Sequence, residues 1–310
     1  SIIWVKVLSN WLIDSNSVRL ISQQNTLKVG RSKMAIWNKN TQAYLQDNKT
    51  LFEAFMLSDK DGNIINSFGV ASNVPIAAGL VDGYQSIHKF GAVPAMSTNP
   101  GNGSIWDKND TYYPWSAFAV PGPLTISTTT SNGTLSSLDT GMTVTIIGLD
   151  ENFEDAQETI TISGDAGAGT QNFARVYRAF TSQDNQTQVR VSTTTGTPTE
   201  VLRINILKGQ TLMAIYTVPA GKTAYLTKGT ATCAANADAT IDMFVRYGGV
   251  GAFRIGHTAE VAGVGGQYTY EFAVPLQMPE KTDIDVRATV RSNNARVTAA
   301  FDLILIDNPA

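Results

Sequence analysis

The stretch Asp283-Ile284-Asp285-Val286-Arg287-Ala288-Thr289-Val290 decides how this chain reads. Ile284, Val286, Ala288 and Val290 recur with period two, and Asp283, Asp285, Arg287 and Thr289 fall between them. That is the pattern of a strand with one buried and one solvated face. Past Ser292-Asn293-Asn294 it resumes in Val297, Ala299, Phe301, Leu303 and Leu305. Two such runs across a short polar turn predict a hairpin. Working upstream, the spacing predicts further strands over 201–206, 211–218, 223–232, 240–246, 252–257 and 267–275. About eight strands, spaced roughly 8–12 residues apart, predict a β-sandwich or jelly roll over 201–310.

The alternation continues further upstream. Thr143-Val144-Thr145-Ile146, Thr159-Ile160-Thr161-Ile162 and Val189-Arg190-Val191-Ser192 share it, with turn clusters at Ser131-Asn132-Gly133 and Gly196-Thr197-Pro198 between them. Thr is β-branched, stiff at χ1 and suited to a pleated surface. These runs predict a separate β unit over 121–200. Residues 34–120 read differently. Val74-Pro75, Val93-Pro94 and Asn99-Pro100-Gly101-Asn102-Gly103 punctuate them, which predicts an irregular segment. Within it we expect a short helix around 40–48 and a hairpin across Asp59-Lys60-Asp61-Gly62-Asn63. Met34-Ala35-Ile36-Trp37 looks like an ordinary protein opening, so 1–33 is expected to be an upstream extension or an N-terminal arm. The expected architecture is all-β: tandem β-sandwich or jelly-roll units behind an irregular N-terminal segment.

Composition narrows the function classes. Of 310 residues, 43% are hydrophobic and 16% charged. A typical domain carries about 25% charge, and polyelectrolytes and coiled coils carry more. With 23 basic against 26 acidic residues there is no global positive field, so no nucleic-acid partner is expected. No run approaches the roughly 18–20 apolar residues of a membrane span, so no membrane partner is expected either. Cys233 is the one cysteine, which excludes a disulfide within the chain; its Ala- and Thr-rich surroundings mark it as a buried small hydrophobe. His88 and His257 are the two histidines, too few for a His-rich metal centre and a poor basis for a Ser-His-Asp triad. No cofactor, metal or catalytic residue is expected.

Four local patterns invite chemistry. Ala220-Gly221-Lys222-Thr223 ends like a phosphate-binding loop, but Tyr216 stands where the first Gly is required and a strand follows, so it reads as a turn. Asp59-Lys60-Asp61-Gly62-Asn63 opens like a calcium loop, but Ile64 and Val70 stand where Gly and Glu are required. Asp150-Glu151-Asn152-Phe153-Glu154-Asp155 with Glu158 is the densest acidic stretch. It suits a solvated connection, and it leaves open a calcium site or a carboxylate pair. Trp106, Tyr112, Tyr113, Trp115 and Phe118 are crowded together. They suit an interface or a sugar-stacking platform, Trp106, Tyr112, Tyr113 and Trp115 being the candidate contacts, or packing of the segment onto the β unit.

Five stretches carry a resemblance: Tyr84-Gln85-Ser86-Ile87-His88-Lys89-Phe90-Gly91; 147–153 with 158–164; 209–224; 278–284; and Thr298-Ala299-Ala300-Phe301-Asp302-Leu303-Ile304-Leu305. They resemble virion structural proteins of tailed bacteriophages, of the kind common in marine samples. The resemblance implies a virion location and phage capsid or tail proteins as partners, as a head decoration, fibre or tail-associated component. It brings no catalytic or binding residue with it. Two other readings share the fold: a carbohydrate- or receptor-binding module, and an enzyme using Glu151 or Glu154. Sparse charge, together with an apolar segment 64–118 that could lie across a neighbour, leads us to expect a symmetric homo-oligomer, with a trimer as the first expectation.

Overall fold

The computed structural model describes residues 75–98, 102–108, 111–234, 238–262, 265–292 and 294–309 in full; of the short strands before residue 73, and of Asn73 and Val74, it describes the backbone alone. Residues 1–80 and 81–310 form two separate units.

Among the described residues the first unit contains four short antiparallel pairs. β1 (Trp4–Val5) pairs with β4 (Leu27–Lys28), and β2 (Leu12–Asp14) with β3 (Ser17–Arg19). β5 (Ala43–Gln46) pairs with β6 (Thr50–Glu53), and β7 (Leu57–Ser58) with β8 (Ile64–Ile65). The helix expected around 40–48 is therefore a strand at Ala43–Gln46. An isolated helix that short is marginal, whereas cross-strand pairing is available to it. The expected hairpin has its two strands in β7 and β8; its turn residues, and Met34 with the proposed start, lie outside the described residues. One helix, α1 (Asn73–Ala77), closes this unit.

The second unit is all-β and antiparallel. Eight strands form two facing sheets. β22 (Gly266–Met278), β19 (Lys222–Ala234), β24 (Ala295–Asp307) and β9 (Tyr84–Met96) lie in that order in one. β10 (Asn102–Ser104), β23 (Asp283–Val290), β20 (Ala239–Arg246) and β21 (Arg254–Val261) lie in that order in the other. Numbered one to eight along the chain, the strands fall in the orders 6-3-8-1 and 2-7-4-5, which is a jelly roll. Ile284, Val286, Phe301, Leu303 and Leu305 sit between the sheets with Ala224, Leu226 and Cys233. Ile284→Val should cost roughly 0.5–1.5 kcal/mol, the usual figure for one methylene in a closed core; a urea titration showing no loss would put Ile284 outside that core.

Between the second and third of these strands the chain makes a second sandwich. β14 (Ala166–Ala168), β11 (Leu124–Thr129), β16 (Gln188–Thr193) and β17 (Glu200–Ile204) form one sheet. β13 (Asp155–Thr161), β12 (Thr143–Leu149) and β15 (Arg175–Thr181) form the other. Leu124, Ile126, Val144, Ile146, Phe173 and Val191 fill its core. The short β18 (Ile215–Thr217) then returns the chain to β23, on the edge that β10 also uses. Entry and exit are tied together: Ile105 N donates to Val286 O at 2.8 Å, Val286 N to Ala214 O at 3.1 Å, and Ala214 N to Ile105 O at 2.9 Å.

The all-β expectation holds. The boundaries differ. The jelly roll starts at Tyr84 rather than 201, the 121–200 unit is inserted into it, and the run predicted at 201–206 is β17, which pairs with β16. Gly91 and Pro94 make β9 look like loop. A Cβ on Gly91 would lie 2.4 Å from Ala214 N and 2.5 Å from Ile105 O, so glycine permits a close crossing. Pro94 falls where the β9–β24 register shifts, on an edge strand that tolerates a missing donor. Residues 84–118 thus pack within their own chain, which removes the reason for laying that part across a neighbour. Among the described residues no helix is long and apolar enough to cross a membrane.

Candidate functional site

The most unusual chemistry lies where the inserted sandwich meets the jelly roll. Trp106, Tyr113 and Trp115 form a run of edge-to-face rings. Centroids are 5.3 Å apart for Trp106–Tyr113 and 4.9 Å for Tyr113–Trp115. A short 3₁₀ turn at Trp115–Phe118 carries the last of them. The wedge is only 1%, 3% and 7% exposed at Trp106, Tyr113 and Trp115. Each polar tip is satisfied: Trp106 Nε1 donates to Thr111 O at 3.1 Å, the Tyr113 hydroxyl to Val176 O at 3.1 Å, and Trp115 Nε1 to Asp285 Oδ2 at 3.0 Å. Burial pushes the Tyr113 phenol far up, beyond any physiological pH.

Around this wedge lies an ionic centre. Asp283 accepts from Arg175 at 2.9 and 3.2 Å, from Arg246 at 2.9 and 2.6 Å, and from Thr217 Oγ1 at 2.7 Å. Arg175 belongs to the inserted sandwich; Arg246 and Asp283 belong to the jelly roll. Asp285 pairs with Arg287 at 2.9 Å. Its Oδ1 has no hydrogen-bond partner, although the Ser104 hydroxyl lies beside it. Burial raises the Asp285 carboxyl, while Arg287, Trp115 and Ser104 pull it back. The guanidinium groups also stack: Arg175 over Trp115 and Phe153, Arg246 over Trp115 and Phe253, and Arg287 over Tyr112, Phe244 and Phe253. Each of these buried charges is paired with an opposite charge, and the guanidinium groups are stacked as well.

Two more buried groups tie the joint. Asp107 accepts from Leu212 N and from Asn205 Nδ2 at 3.1 Å, holding the entering and leaving chains; burial pushes its carboxyl well up. Lys89 on β9 donates to Tyr177 O on β15. That carbonyl is free because the β12–β15 ladder bulges between Ile147 and Gly148, skipping Tyr177. Burial, then the Arg178 charge, lowers the Lys89 amine to about 7.

Of the four candidate contacts, Trp106, Tyr113 and Trp115 are packing residues, and Tyr112, 48% exposed, remains at the surface over Arg287. Trp115→Phe should cost about 1–3 kcal/mol, because the Asp285 carboxylate loses a donor in a dry site. Tyr112→Ala should cost under about 1 kcal/mol, the scale of an exposed cation–π contact. Chemical denaturation of both variants checks the contrast; equal losses would refute it.

The acidic stretch disperses. Asp150 Oδ1 accepts from Asn152 N at 2.8 Å and Glu154 N at 3.0 Å, making a turn. Asp155 Oδ1 accepts from the Tyr177 hydroxyl at 3.3 Å, and Glu158 Oε1 caps the Thr170 and Gln171 amides at 2.6 and 3.2 Å. Glu151 and Glu154 are exposed. Among the described residues no group of three or more His, Cys, Asp or Glu is placed to hold a metal ion. Cys233 is buried in the jelly-roll core. Lys222 opens β19 directly after Gly221, whose φ of 71° makes the turn.

Sequence reading missed Arg175, Arg246, Asp283, Asp285 and Lys89 as joint residues. Asp283 and Asp285 stood in plain view on the face assigned to solvent. What covers that face is the inserted sandwich, distant in sequence; the Arg175–Asp283 pair spans 108 residues.

No family model matches this chain, and no curated protein matches it. Among solved structures, the infectious bursal disease virus VP2 subviral particle aligns at 9% identity over 74% of this chain and 72% of that chain, with a TM-score of 0.17, too low to equate the two folds.

Proposed function

We propose that this protein is a non-catalytic structural component of a virus particle, of the tailed-bacteriophage type that its sequence resembles, acting as a head decoration, fibre or tail-associated piece. One observation carries the reading: a jelly roll holds a second sandwich in a fixed pose through a buried Arg175–Asp283–Arg246 bridge and an aromatic wedge. Such a joint spends its charged and aromatic residues on rigidity, which a repeated shell or fibre subunit needs. Jelly rolls also serve lectins and cupins, so the fold alone does not choose among them. The glycan-binding alternative loses its platform, since three of its four aromatic residues are interior. Its partners are then particle proteins and copies of itself. Proteomics of gradient-purified intact particles tests this; a chain consistently absent from particles while present in the lysate overturns it.

A further inference from the structure

β21 is lightly held. Among the described strands β20 is its one ladder partner, and that ladder slips between Met243 and Phe244, leaving Gly256 unpaired. Along β21 only Ala259 and Val261 are buried. Its neighbour β20 buries Ala239, Ile241, Met243 and Val245, and β23 buries Ile284, Val286, Ala288 and Val290. Taking β21 away therefore gives up far less apolar contact than breaking either inner strand.

Glycines flank it. Gly251 before the strand and Gly265 after it have φ of 81° and 70°, and a Cβ on either would meet no described atom within 4 Å. Nothing wedges these two in place, and both accept large backbone turns. Gly249 is different: its carbonyl accepts from Arg175 Nη2 at 3.3 Å, which fixes the loop up to that point. Between Gly251 and the strand stands Phe253. Its ring lies 4.5 Å from the Arg246 guanidinium, 4.8 Å from that of Arg287 and 5.4 Å from the Trp115 ring. In the middle, His257 Nε2 is 2.9 Å from the Tyr268 hydroxyl on β22; near the far end, Glu260 accepts from Thr240 Oγ1 at 2.8 Å on the exposed side. Val261 closes over Gly266: a Cβ there would lie 2.9 Å from Val261 Cγ1. Gly266 is the ladder partner of Cys233, which shares a buried core with Val261.

We infer that β21 is a gate in the jelly roll: Arg254–Val261 leaves β20 as a unit, turning about Gly251 and Gly265 once the Phe253 latch lets go, and uncovers the core beside Cys233 while the other strands stay paired. Local opening needs a segment with little buried surface and loose ends, and β21 has both. The gate does not depend on the particle role.

Cys233, the single thiol of the chain, reports the opening without any substitution. The test is iodoacetamide labelling of the full chain at rising urea concentrations, with global unfolding followed by tryptophan fluorescence. Labelling in low urea should run more than about 100-fold faster than global unfolding allows, and should barely respond to urea, because the opening exposes little surface. Hydrogen exchange should show the same fast opening over 254–261 and not over 283–290. Phe253→Ala should speed low-urea labelling about tenfold, the scale of two lost cation–π stacks. Ile284→Val weakens the core without touching the latch and should leave low-urea labelling unchanged. Labelling as steep in urea as global unfolding, residues 254–261 as protected as 283–290, or equal responses to Phe253→Ala and Ile284→Val each overturns the inference.

Discussion

Raising the pH from 7 to 10.5 is expected to stabilise this protein through Lys89, and Lys89→Met is expected to flatten that rise. The Lys89 amine is buried between two sandwiches and holds the carbonyl that the β15 bulge leaves without a ladder partner. The one nearby charge that acts on it, Arg178, has the same sign. Folding therefore moves the amine from 10.5 down to about 7. Below about pH 7 both states hold the proton and the folded state bears the full cost of a buried ammonium. Between 7 and 10.5 the unfolded chain binds a proton that the folded chain does not, so stability climbs with pH; above 10.5 the cost is gone. At about 1.4 kcal/mol per unit the upper bound on the climb is roughly 5 kcal/mol. Methionine fills the space without charge but leaves Tyr177 O unpaired, a loss of about 1–3 kcal/mol. The variant should thus be the more stable protein at pH 6 and the less stable at pH 10.5. Urea unfolding of both proteins at these two pH values shows whether the difference changes sign; parallel pH profiles would mean that the amine is not desolvated.

Asp283→Ala is expected to be the most damaging single change at the ionic centre. Its carboxylate alone neutralises Arg175 and Arg246 across the joint and accepts from Thr217. The side chain is fully buried, and those of Arg175 and Arg246 are 7% and 15% exposed. Removing one partner of a buried pair costs roughly 3–5 kcal/mol, mostly the penalty of the charge left behind. Here two guanidinium groups are left behind, so the loss should reach at least the top of that range. Arg246→Met should cost less, because Asp283 keeps Arg175. Hydrogen exchange is the sharper readout: amides of β15 and β23 should lose protection together in Asp283→Ala. If only β23 responds, the centre stabilises the jelly roll and not the joint.

Some of this organisation is visible in the chain itself. The predicted runs over 223–232, 240–246 and 267–275 fall within three residues of the ends of β19, β20 and β22, and the stretch 283–290 is β23. The reason is local: a half-buried strand writes its period into its own residues. Turn chemistry was legible too, as at Gly221, whose positive φ needs no Cβ. Of the candidate site, only the crowding of Trp106–Phe118 could be read. Whether four aromatic rings face solvent or a neighbouring sandwich is not a local property.

What the sequence determined by itself was therefore most of the strands of the β units, and, through its single cysteine, that no disulfide closes within the chain. These follow from period, propensity and residue counts. Strand order was decided only by tertiary structure. β9 belongs to the jelly roll because its ladder to β24 runs from Tyr84–Ile306 to Met96–Ala295, a pairing closed across some 200 residues. Its Gly91 and Pro94 are breakers by propensity and necessities by packing. The same holds for charge. Asp283 and Asp285 alternate as surface residues do, and they became the buried centre because an inserted sandwich brought Arg175 and Trp115 onto that face. Periodicity tells which residues share a face; only the folded chain decides what that face meets.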